Sequence, residues 1–215
     1  MLGRCGPPAV LVMSVLAGVS ACGSSTVAFH PAGSLSTQAA QAAPLATPAG
    51  QRFGSFRFPA GVSIDFTSPA PADSSQRAII AGYQDYVLSM WAGVLSHGSD
   101  AAYLNQAAGS ALTFVSREVA RYRTPGRTVR GTIQYSGTKV SGVYFGSGAS
   151  VLSCVDASAF RDVNTQTGAR MGPALPARPI RYLEEVSEGR RSDGTWFVSR
   201  SVTYATSSPQ GATCR

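Results

Sequence analysis

Apolar and polar positions change their period partway along this chain. From Ser75 to Ser96, residues Ile79, Ile80, Tyr83, Tyr86, Val87, Met90 and Val94 recur at helical spacing, with Ala81, Asp85, Ser89 and Ala92 opposite them. This predicts a long amphipathic helix, capped by Asp73 or Ser74 and ended by Gly98. Ser99 or Asp100 is placed to cap a short second helix, and a third is expected over 111–123, stopping at Thr124-Pro125-Gly126. Beyond that point the period falls to two. Segments 128–135, 140–146, 150–157, 180–187 and 196–204 are rich in Val, Ile, Thr, Tyr and Phe and read as strands. Ser136-Gly137, Gly146-Ser147-Gly148 and Ser192-Asp193-Gly194 suit hairpins, Asn164 to Gly168 an exposed turn, and Pro173 and Pro176 a loop. Upstream, Phe53, Phe56, Phe58 and the alternating run Val62 to Phe66 form a lead-in with room for one short edge strand. Helices first and a strand meander afterwards imply an α+β domain. The long helix and two shorter ones would pack on a curved antiparallel sheet of four to five strands.

The first quarter of the chain has a different character. Arg4, the apolar stretch from Ala9 to Ala17, and the small residues before Cys22 have the parts of an export signal. The apolar stretch is shorter than the roughly 20 residues a membrane-spanning helix needs. Val19-Ser20-Ala21-Cys22 resembles a bacterial lipobox, which implies cleavage before Cys22 and lipidation of its thiol. Two or more buried acyl chains, at about 0.8 kcal/mol per CH₂, would hold the protein on the outer face of the cytoplasmic membrane. An ordinary secretory signal cut near the same place is the alternative. From Gly23 to about Gly50 the chain is Ser, Thr, Ala, Gln, Pro and Gly, a composition that buries too little apolar surface to fold and reads as a tether. The expected organisation is therefore a signal over 1–21, a tether over 22–52 and a folded domain over 53–215, with its core in 74–215.

This assignment disposes of two of the four cysteines. Cys5 leaves with the signal and Cys22 takes the lipid, so Cys154 and Cys214 remain in an oxidising compartment, where they are expected to pair. Metal ligation lacks support, since no Cys-x-x-Cys is present and neither His30 nor His97 falls at ligand spacing. No metal or other cofactor is implied.

The formal charge is +7, from 18 basic and 11 acidic residues. Arg117, Arg121, Arg123, Arg127 and Arg130 are its densest part. They suit either a solvated helix end that complements the helix dipole or a contact with anionic lipid or wall polymer. A nucleic-acid partner is not expected, because the compartment is wrong and no aromatic-interleaved basic motif occurs.

Over roughly residues 60–215, the chain resembles secreted lipoproteins of high-GC Gram-positive bacteria whose domain is NTF2-like (SnoaL-like). The resemblance is carried by Tyr83-Gln84-Asp85-Tyr86, Gly98-Ser99-Asp100, Ala108-Gly109-Ser110-Ala111-Leu112, Gly131-Thr132, Cys154-Val155-Asp156-Ala157-Ser158, Thr167-Gly168, Gly194-Thr195-Trp196-Phe197-Val198 and Cys214. It implies a cone in which the long helix lies across a bent sheet and leaves a pocket at the open end. It supplies no catalytic residues.

Candidates for the pocket are Tyr83, on the apolar face of the long helix; His97, at its last turn; and Arg200, in strand phase with Val198 and Val202. Asp85 faces away from the apolar side, and Asp156 shares a strand face with Cys154. No catalytic residue is assigned. Three functions fit: a membrane-anchored envelope module binding a small apolar ligand or a partner protein; an isomerase or hydrolase using a pocket His or Tyr; and an accessory subunit of a secretion or transfer complex.

Overall fold

A computed structural model describes residues 51–172 and 180–214. Cys22, the signal and most of the tether lie outside these residues, as does the loop bearing Pro173 and Pro176. The chain enters through two short paired strands, β1 (Arg52–Phe53) and β2 (Phe56–Arg57), and then β3 (Val62–Phe66). Three helices follow: α1 (Ser74–Leu95), α2 (Tyr103–Gln106) and α3 (Gly109–Tyr122). Strands β4 (Arg127–Tyr144), β5 (Gly148–Asn164), β6 (Arg181–Arg190) and β7 (Trp196–Ala205) complete a sheet in the order β3-β4-β5-β6-β7, and a 3₁₀ turn closes the chain over Gly211–Cys214. The class is α+β, with three helices packed on a curved five-stranded sheet, the form implied for an NTF2-like cone.

The helix starts where expected. Asp73 is its N-cap, and its carboxylate accepts from the Gln76 N–H at 2.8 Å. The expected polar face is only partly polar. Ser89 and Ala92 are fully buried, because α2 and α3 cover the side of α1 that the sheet does not. Gly82 marks the closest approach to the sheet, since a Cβ there would stand 2.5 Å from Trp196 Cβ.

Two expectations about the sheet are corrected. It is mixed rather than antiparallel, because β3 joins the edge parallel to β4, with Ile64 opposite Ile133. Ser136-Gly137 is also not a hairpin. The segment 128–135 and all but the last two residues of 140–146 belong to the single strand β4, whose register against β5 shifts between Ser136 and Lys139. Gly137, at φ +60°, lets the strand absorb the one extra residue as an irregularity instead of reversing. The shift keeps Ile133, Tyr135, Thr138 and Val140 on the helix side and helps the sheet curve around α1. Asn164 to Gly168 does form a turn, in which the Asn164 side chain accepts from the Gln166 and Thr167 N–H groups.

Candidate functional site

The space between α1 and the sheet is occupied by large side chains. Tyr83, Tyr86, Tyr135, Val151, Val186 and Val198 are each at most 2% exposed. Alternation along β6 sends Tyr182, Glu184, Val186 and Glu188 to the same helix-facing side, so two carboxylates enter an apolar layer. Their surroundings differ. The Tyr83 hydroxyl donates to Glu184 Oε2 at 2.7 Å, and Ser201 Oγ donates to Glu184 Oε1 at 2.9 Å. Burial and then the Glu184 charge push the Tyr83 hydroxyl well above the ordinary phenol range, so it stays a donor. Tyr83 also meets Tyr135 edge-on at 6.1 Å between ring centroids, and the Trp91 indole N–H points at the Tyr135 hydroxyl at 3.4 Å.

Glu188 lies four residues further along, beside Gly82 and Trp196. It is 3% exposed, and among the described residues nothing hydrogen-bonds either of its carboxyl oxygens. Burial alone raises its pKa to about 8. At neutral pH it therefore keeps its proton and can act as a hydrogen-bond donor or an acid.

The outer face of the sheet carries a second site. Cys154 and Cys214 come together there as a disulfide-capable pair, with Cα atoms 5.3 Å apart across 60 residues of sequence. The pair holds the final 3₁₀ turn against β5 and β6. Beside it is a cleft of about 330 Å³ lined by Gln134, Ser136, Val155, Asp156, Arg181 and Thr213 together with the two cysteines. Arg181 Nε donates to Asp156 Oδ2 at 2.8 Å. Burial nudges the Asp156 carboxyl upward, but the hydrogen bonds from Ser158 and the Arg181 guanidinium outweigh it and hold the group below the usual carboxylate range.

Of the three pocket candidates, Tyr83 alone faces the interior. His97 is exposed and has left the helical phase, at φ +56°, so that it turns away from the apolar face; its Nδ1–H donates to the Tyr122 carbonyl at 2.6 Å, tying the end of α1 to the end of α3. Arg200 is exposed on the outer face. Ser187 pairs with Arg200 and Glu188 with Val198, which leaves Ser199 unpaired, and this bulge puts Arg200 on the side opposite the buried Val198. Its neighbours there are Glu185 and Tyr204, whose hydroxyl donates to Glu185 Oε2 at 3.0 Å. Two of the five clustered arginines are engaged locally: Arg121 pairs with Glu118 at 2.9 Å, and Arg127 with Asp162 at 2.5 Å, while Arg117, Arg123 and Arg130 are exposed. Asp85 is exposed, as the helical phase predicts. Among the described residues no group of three or more His, Cys, Asp or Glu is placed to hold a metal ion.

Glu184 and Glu188 were not singled out from sequence. The signal was present, since both fall in phase with Tyr182 and Val186 in a strand rich in apolar residues.

No protein family model and no curated sequence matches the chain. Three solved structures resemble it. A ketosteroid isomerase-like protein from Erwinia carotovora atroseptica shares 17% identity over 61% of this chain and 95% of its own, with a TM-score of 0.39. A candidate polyketide cyclase from Xanthomonas campestris pv. campestris shares 15% over 66% and 100%, with a TM-score of 0.31. A candidate ketosteroid isomerase from Shewanella frigidimarina shares 13% over 65% and 97%, with a TM-score of 0.27.

Proposed function

We propose that this chain is an extracytoplasmic lipoprotein, anchored to the outer face of the membrane through Cys22, and that its folded domain is a binding module of the cell envelope. The observation that carries this reading is the outer-face cleft walled by the Cys154–Cys214 pair. A cystine at that position fits an oxidising compartment, in keeping with the lipobox-like signal. The cleft has the volume of a small-molecule site and offers convergent polar groups, so its ligand is a small polar molecule or a polar segment of an envelope protein. Tyr83, Tyr86 and Tyr135 fill the space under α1, and an apolar ligand entering there would have to displace packed side chains. Native mass spectrometry of the mature chain after incubation with envelope extract tests the reading. A mass increment that is lost in Arg181→Glu is expected, and an unaltered mass across all extracts would overturn it. Acylation of Cys22 is read separately, from the intact mass of membrane-extracted protein.

A second reading, an isomerase- or hydrolase-type enzyme, is favoured by Glu188. A buried carboxyl that retains its proton at neutral pH, and that nothing among the described residues hydrogen-bonds, can serve as a general acid, four residues along β6 from the Tyr83–Glu184 pair. Turnover of simple enolisable ketones or esters that disappears in Glu188→Gln would establish it. Equal rates in the two proteins would remove it.

A further inference from the structure

The β4–β5 hairpin ends in an apolar tip: the Tyr144 ring lies back over Gly142 with its hydroxyl accepting from Ser150 at 3.4 Å, and beyond it stands Phe145, a ring that the fold itself does not need. Val143 and Tyr144 are half-exposed, and Phe145 is 104% exposed. Phe145 and Gly146 both have positive φ, +51° and +69°, as a type I′ turn requires, and Ser147 N–H closes the turn onto the Tyr144 carbonyl at 3.2 Å. Gly, Asn or Asp is the favourable residue at such a position, and a bulky aromatic there works against the local backbone preference. Phe145 is therefore doubly unfavourable for folding, being strained in its backbone and unburied in its ring. An observed outlier of this kind points to use by something outside the fold.

The surroundings narrow what that something is. The β6–β7 turn lies at the same end of the sheet, because Gly148 pairs with Gly189 and the Arg190 N–H donates to the Ser147 carbonyl at 2.8 Å. That turn brings Arg190 and Arg191, with only Asp193 against them, for a local excess of one positive charge. Arg191 is held in place: its Nη2 donates to the Asn105 carbonyl at 2.5 Å, and its guanidinium stacks 4.4 Å from the Phe197 ring centroid. The contact with Asn105 brings α2 to this end of the domain, and with it the half-exposed Leu104. An aromatic and aliphatic tip bordered by fixed arginines matches the interfacial zone of an anionic bilayer, where rings sit at headgroup level and cations meet lipid phosphates.

We infer that the Tyr144-Phe145 tip, with Arg190 and Arg191 beside it, is a membrane-docking surface that lays this end of the domain on the anionic bilayer to which the chain is anchored. The inference rests on the anchoring reading for its geometry. Cys22 and Gln51 are 29 residues apart, and that length of chain spans at most about 100 Å. Gln51 docks on Ile64, which is paired with Ile133, twelve residues before Phe145 and so no more than about 40 Å from the tip. The tip can therefore reach the bilayer that holds Cys22. Anchoring makes this second contact intramolecular, so a modest intrinsic affinity is enough to keep it engaged.

The test uses the full mature chain carrying Cys22→Ser, which cannot be acylated, sedimented with vesicles of phosphatidylglycerol and phosphatidylethanolamine. The unaltered tip is expected to partition onto these vesicles, less so at high salt. Phe145→Gly should lower partitioning about tenfold, by loss of one buried aromatic side chain. Because glycine suits the turn better, the same variant should melt no lower than its parent, which separates docking from folding. Equal sedimentation of the two proteins, or no sedimentation of the parent, overturns the inference. Failure to acylate Cys22 would defeat the anchoring reading and leave this vesicle result standing.

Discussion

On the helix-covered face of the sheet, Glu184 and Glu188 are withdrawn from water; on the outer face, Asp156 sits beside Arg181 with both side chains partly wet. The two faces treat a carboxylate differently. Outside, solvent and a guanidinium share the charge, and the pair screens itself. Inside, only hydrogen bonds can offset the loss of water, and Glu184 receives two from Tyr83 and Ser201 while Glu188 receives none among the described residues. Equal burial therefore gives unequal chemistry. Glu184 is part of a satisfied network, and Glu188 is a proton reservoir.

The largest effect expected from this contrast is in pH. In the folded state the pKa of Glu188 is about 8, against an ordinary value of 4.5. Between those values the unfolded chain has released a proton that the folded chain still holds, so this group makes stability fall as pH rises from about 4.5 to about 8 and adds no further loss above that. The upper bound is about 5 kcal/mol. Urea unfolding at pH 5 and at pH 8, compared between the parent and Glu188→Gln, measures it. The parent should lose several kcal/mol more than the variant across that window, and parallel pH curves would show that Glu188 is not buried as a lone acid.

The outer face supplies the next effect. Reducing the Cys154–Cys214 pair frees a loop of 60 residues, which in the chain-entropy model costs about 4 kcal/mol. Thermal melts with and without reductant should differ accordingly, and the reduced protein should also lose the shape of the adjoining cleft. An unchanged melting temperature would mean that the two thiols are not joined.

These contrasts were unevenly visible in the chain. The long helix and the strands were legible because burial imposes a period, and the period survives in Ile79, Tyr83, Tyr86 and Met90 as it does in Tyr182, Glu184 and Val186. Glu184 could have been placed inside on that phase alone. Arg200 could not, because a single unpaired residue, Ser199, reverses the side on which every later residue of β7 falls. Gly137 was ambiguous for a related reason: a glycine with positive φ serves a reversal and a bulge equally well, and the choice depends on how far β4 must bend around α1. The parallel edge was hidden because local alternation does not say which strand is the neighbour. The charge state of Glu188 was hidden too, since it depends on Gly82 and Trp196 closing over it from 106 residues before and 8 residues after in the chain.

Tyr83→Phe sharpens the inner half of the contrast. It keeps the ring packing against Tyr135 and removes one of the two donors to Glu184, leaving Oε2 unsatisfied in an apolar layer, which should cost about 2 kcal/mol in denaturant unfolding. A loss well below that would mean that water reaches Glu184. The measurement then doubles as a test of whether the space under α1 is dry.

The smallest effect belongs to the outer pair. The Arg181 and Asp156 side chains are 56% and 31% exposed, so their attraction is screened and offset by the entropy of holding two side chains in one geometry. Asp156→Asn should cost under about 1 kcal/mol, less than half the effect of Tyr83→Phe, although both remove one partner of a carboxylate hydrogen bond. The same substitution also frees the Arg181 guanidinium toward the cleft. If the cleft takes an anionic ligand, binding should tighten in this variant while stability barely moves. A loss of stability as large as that of Tyr83→Phe would show that the outer face is as dry as the inner one, and the distinction between the two faces would fail.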